Sequence, residues 1–101
     1  MAEDEAKVLC QTPTPGKKGT RISKWKYDLV RAAILKAAPD NETGVEFKRL
    51  PALAKKHLSE ADLQRLGSLS WYTTTVKLDL EVRGEIERIP GSKPQRIRRI
   101  G

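Results

Sequence analysis

The sequence predicts a mixed α+β domain with three main helices, one short strand and a C-terminal two-stranded basic hairpin. Three observations lead there. Apolar residues recur at helical spacing in two long segments, one opening near Ser23 and one ending at Arg83. After Gly84, two short isoleucine-bearing segments flank Pro90-Gly91-Ser92-Lys93-Pro94, which carries strong turn chemistry. The chain has 101 residues, of which 38% are hydrophobic, enough for one core with little to spare.

Residues 1–20 read as a flexible N-terminal tail, and residues 21–101 as the folded domain. Within the tail, Ala6 to Cys10 has the composition of a short strand. Thr12 to Gly19 reads as loop or extended chain because prolines and glycines punctuate it. Ser23 then opens a helix that runs to about Ala38. Ile22 and Tyr27 stand as the two ends of a hydrophobic staple, and Tyr27, Val30 and Ile34 form its apolar stripe. Pro39 stops it. Val45-Glu46-Phe47 has room for a brief strand, and Pro51 suits the first turn of a helix reaching Leu58. Ser59 and Asp62 resemble a capping box for a short helix carrying Leu63 and Leu66, which Gly67 ends. The five aromatic residues Trp25, Tyr27, Phe47, Trp71 and Tyr72 are assigned to the core.

The last helix starts at Ser68 or Ser70 and ends before Gly84, a residue suited to a left-handed cap. Stepping about 100° per residue sorts its apolar side chains into two groups. Trp71, Thr75, Leu78 and Val82 form one, and Tyr72, Val76 and Leu80 the other. Both are expected to be embedded, leaving Ser70, Thr73, Thr74, Lys77 and Glu81 outward. In the hairpin, Ile86 and Ile89 are three apart, as are Ile97 and Ile100, an offset that predicts a bulge or fraying.

The formal net charge is +7, and it is unevenly placed. Residues 7–37 carry eight basic side chains and one acidic; residues 67–101 carry seven and four; the middle is balanced. Such a field favours polyanions. A lone cysteine excludes an internal disulfide and fits a reducing compartment, and no apolar run is long enough to span a bilayer, so the expected location is the cytoplasm. One His and one Cys far apart leave no set of metal ligands, no cofactor is expected, and no glycine-rich phosphate loop is present. A Cys10–His57 nucleophile pair or a Glu85–Glu87 acid pair lacks any orienting motif, so the chain is read as not an enzyme.

The order of helix, strand, helix, helix and basic hairpin resembles the winged helix-turn-helix superfamily. More narrowly, the chain resembles an uncharacterised bacterial family known only as a domain of unknown function. The matching residues are Pro15-Gly16-Lys17, Lys26-Tyr27-Asp28, Arg31 and Ala33-Ile34-Leu35. Most distinctive is Trp71-Tyr72-x-Thr74-Thr75-Val76-Lys77-Leu78-x-Leu80-Glu81, followed by Gly84 and Pro90-Gly91-Ser92-x-Pro94. The resemblance runs from about residue 7 to the end; it implies the fold and carries no activity.

The functional expectation is a small double-stranded-DNA-binding protein, of the kind that serves transcriptional regulation, held largely by phosphates. Ser70, Thr73, Thr74 and Lys77 would face the major groove. Lys93, Arg96, Arg98 and Arg99 of the wing would grip the backbone or minor groove, with Lys17, Lys18, Arg21 and Lys24 extending the contact. The alternative is a protein-interaction or homodimerisation module on the same scaffold, with no nucleic-acid contact. RNA is a third reading, weakened by the missing aromatic platform on the strands.

Overall fold

The computed structural model describes residues 6–100. Among them are four α-helices and two small antiparallel sheets, a mixed α+β arrangement. The chain opens with β1 (Lys7–Cys10) and β2 (Thr20–Ser23), paired from Lys7 opposite Ser23 to Cys10 opposite Thr20. Then α1 (Lys24–Ala37) leads to β3 (Val45–Glu46), a 3₁₀ turn at Phe47–Arg49, α2 (Leu50–Lys55) and α3 (Glu60–Leu66). The long helix α4 (Leu69–Arg83) feeds β4 (Ile86–Arg88) and β5 (Arg96–Arg99). The second sheet has the order β3-β5-β4, so the returning strand lies in its centre.

Local chemistry accounts for the boundaries. Ile22 and Tyr27 are both buried, as a staple requires, and Ala38 is extended before Pro39, which ends α1. Ser59 Oγ accepts from the Asp62 N–H at 3.0 Å, and Ser68 Oγ from the Trp71 N–H at 3.2 Å, capping α3 and α4. Gly84 takes the left-handed conformation (φ 78°) that closes α4. The second helix is shorter than expected, because the chain leaves it at Lys56.

Three further expectations change. Within the stretch read as tail, the strand is present but integrated: Cys10 is buried in the core, and the Gln11 N–H donates to Asp79 Oδ1 at 2.9 Å. The hairpin has no bulge between Ile86 and Arg99. Its register runs evenly through Ile86–Arg99, Glu87–Arg98 and Arg88–Ile97, which places Ile86 and Ile97 inward. The core is aliphatic: Val30, Ile34, Leu50, Leu66, Val76, Leu80, Ile86 and Ile97 fill it, while Tyr27 is the one aromatic side chain fully within. Trp25, Phe47 and Tyr72 are half-buried at its edge, and Trp71 is 47% exposed.

Candidate nucleic-acid interface

The rotation of α4 decides what the molecule presents. Tyr72, Val76 and Leu80 face the core side, but the inward arc continues through Thr73, Lys77 and Glu81 rather than through Trp71 and Val82. Thr73 is 0% and Lys77 1% exposed, so the expected outward strip is turned in. Lys77 tolerates this because its charge is met. Its Nζ lies 2.5 Å from Glu81, donates to Gln95 Oε1 at 2.8 Å, and stands 4.3 Å from the Phe47 ring centroid. Burial pulls its ammonium below the ordinary 10.5, against the opposing pull of Glu81. Glu81 in turn accepts from Arg88 Nε at 2.8 Å. Helical spacing left Lys77 outward because it falls outside both apolar groups; Glu81 four residues on, with the sequence-distant Gln95 and Phe47, offsets the cost of burying its charge.

Of the helix candidates, Ser70 remains exposed and Thr74 half-buried. The outer stripe is instead Trp71, Thr75, Leu78 and Val82, uncharged, with Val82 43% exposed. The loop between β1 and β2 runs alongside it. Lys17, Lys18, Gln11, Thr12, Thr14 and Thr20 share the walls of a recess of about 250 Å³ with Thr75 and Leu78. Lys17, Lys18 and Arg21 are exposed, and no carboxylate lies within 4.0 Å of them among the described residues. Lys24 differs: its Nζ pairs with Asp28 at 2.6 Å.

The wing is less cationic than its composition implies. Arg98 Nε meets Glu87 Oε2 at 2.5 Å; Arg96 Nε donates to the Thr43 carbonyl at 2.9 Å and lies 3.9 Å from Glu46. Arg99 donates to the Ala38 carbonyl at 3.4 Å and reaches Asp40 at 3.7 Å. Arg98 braces β5 against β4, while Arg96 and Arg99 tie β5 to the connection between α1 and β3. Lys93, at the turn, is exposed.

A cluster that the sequence did not assemble lies where α1, α3 and the start of α4 meet. Arg65 Cζ stands 4.4 Å over the Trp25 ring. Lys26 Nζ is 5.5 Å from the Trp25 centroid and 4.9 Å from that of Tyr72, and it donates to Tyr72 Oη at 3.2 Å. Trp71 meets Tyr72 edge-to-face at 4.8 Å. The pairs Trp25-Lys26 and Trp71-Tyr72 were visible in the sequence, but their meeting depends on how α1 packs against α4.

Burial, then the nearby Asp79 charge, pushes the Cys10 thiol up to about 11, leaving it protonated at neutral pH. Glu85 is engaged by Arg31 and Glu87 by Arg98. Among the described residues no group of three His, Cys, Asp or Glu side chains is placed to hold a metal, and no helix is long and apolar enough to cross a membrane.

No curated protein and no solved structure matches the chain. A family model described as a family of unknown function, DUF6958, matches residues 7–97, from the first residue of β1 into β5. The chain belongs to that family.

Proposed function

We propose that this chain is a nucleic-acid-binding module on a winged-helix-like scaffold, held mainly through phosphate contacts, and that it is not an enzyme. The order α1, β3, α2, α3, α4, β4, β5 with the sheet arranged β3-β5-β4 supports the scaffold reading. The observation that carries the binding reading is the exposed pair Lys17 and Lys18 in the recess beside Thr75 and Leu78 of α4, with Arg21 exposed on the adjoining strand; among the described residues none of the three has a carboxylate within 4.0 Å. Phosphates are the partner such charges fit, and contacts of this kind read no sequence. With Thr73 and Lys77 turned inward, α4 keeps no Asn, Gln, Arg or Lys on its outer stripe for reading bases in a major groove. The working surface therefore moves from the wing and the helix strip to the loop, the outer stripe and Lys93.

Fluorescence anisotropy with labelled DNA at two salt concentrations tests this. Binding should weaken steeply with salt, and replacing Lys17, Lys18 and Arg21 together by Ala should lower the slope of log K against log salt by roughly 2–3 units. Unchanged affinity and slope in that variant would defeat the assignment. A second reading, docking of a protein partner or a second copy, is favoured by one observation: Trp71 and Val82 are exposed on one uncharged stripe. Light scattering that finds a stable dimer, abolished by Trp71→Ala, would favour it.

A further inference from the structure

We infer that the interface takes single-stranded nucleic acid in preference to duplex, with Trp71 as the stacking platform; this rests on the nucleic-acid reading above. Arg65, Trp25, Lys26, Tyr72 and Trp71 form a continuous series in which cation and ring alternate until two aromatic rings close it. Two cations thus hold the two inner rings, Arg65 over Trp25 at 4.4 Å and Lys26 over Tyr72 at 4.9 Å. Within the series the inner rings already have partners. Trp71 ends it, with 47% of its surface in water.

Unpaired bases offer open π faces, and stacking on an aromatic side chain is tolerant of sequence because every base has such a face. In duplex the same faces are covered by neighbouring base pairs, and reading is left to groove edges, for which the outer stripe of α4 offers the Thr75 hydroxyl and no bidentate side chain. Thr75 lies one helical turn beyond Trp71 on the same stripe, and it shares its recess with Lys17 and Lys18. A strand laid along α4 would therefore stack a base on Trp71 and meet ammonium groups one turn on. Lys26 supplies charge beside Tyr72, and Arg65 beside Trp25, on the other side of Trp71. Stacking platform plus flanking cations is the combination that binds single strands.

The test is anisotropy titration of the full chain with a mixed-sequence single-stranded oligonucleotide and with its duplex, for the native protein, Trp71→Ala and Trp71→Phe. Trp71 adds little to the core, so circular dichroism should find all three folded. The strand should bind more tightly than the duplex. Trp71→Ala should weaken strand binding about tenfold with little change for duplex, and Trp71→Phe should recover much of the loss. Duplex binding as tight as strand binding, untouched by Trp71→Ala, would overturn the inference while leaving the phosphate-contact reading standing. No binding of either at low salt would overturn both.

Discussion

The carboxylate of Asp79 collects donors from three parts of the chain: the Gln11 N–H at 2.9 Å, the Tyr27 hydroxyl at 2.6 Å and Arg83 Nε at 2.6 Å. Burial, reinforced by the hydrogen bond to Asp79, pushes the Tyr27 phenol up, so it stays a donor throughout the ordinary pH range. One residue thus joins the β1–β2 loop, α1 and α4. Replacing Asp79 by Ala strands the Tyr27 hydroxyl and the Gln11 amide, and should cost about 3 kcal/mol or more. Urea unfolding would measure it; a loss below about 1 kcal/mol would show that these bonds contribute little net stability. Of this, only the Asp79–Arg83 pair, four apart on α4, was visible in a helical wheel. Asp79 falls beside Tyr72 and Val76 on the core side, where a carboxylate is unexpected until its donors, 52 and 68 residues away, are folded against it.

At the scale of elements, two glycines with similar backbones predict different costs. Gly84 (φ 78°) closes α4 with nothing near the place a Cβ would occupy, so Gly84→Ala should lose only the conformational term, about 1 kcal/mol. Gly44 (φ 63°) stands before β3, where an added Cβ would run into the Ile97 carbonyl oxygen and the Ile89 side chain. Gly44→Ala should cost about 2–4 kcal/mol, combining strain with displacement of the central strand β5. Thermal unfolding of the two variants side by side checks the ranking, and equal shifts would contradict the close packing at Gly44. The element boundaries were largely legible, because caps, staples and prolines act within a few residues: Ile22–Tyr27, Ser59, Pro39 and Gly84 all perform as their chemistry implies. The rotation of α4 was not, because its inward face is settled by Gln95, Phe47 and Arg88, none of them on the helix.

For the whole molecule, the first strand belongs to the fold. β1 supplies Cys10 to the core and the following residue supplies an amide to Asp79. Gly19, just before β2, shows the same integration, since a Cβ there would lie 2.5 Å from the Cys10 carbonyl oxygen. A chain begun at Thr20 should therefore unfold at least about 8 °C lower, given roughly 4–8 °C per kcal/mol for a domain of this size. An unshifted midpoint would restore the reading of residues 1–20 as an appendage. The candidate surface was half legible in the same way. Exposure of Lys17, Lys18 and Lys93 follows from loop chemistry, whereas the ion pairs of Arg96, Arg98 and Arg99 with Glu46, Glu87 and Asp40 depend on strand order and register.

The inward seam of α4 has a kinetic consequence. Lys77 held to Glu81 and Gln95, with Glu81 held to Arg88 of the neighbouring strand, acts as a key in a slot and stops the helix rolling about its axis. Trp71 is then held on display, with no other described residue closing over it. Association at this surface should run as a single-step collision whose rate is set by diffusion and by long-range attraction from the surrounding cations.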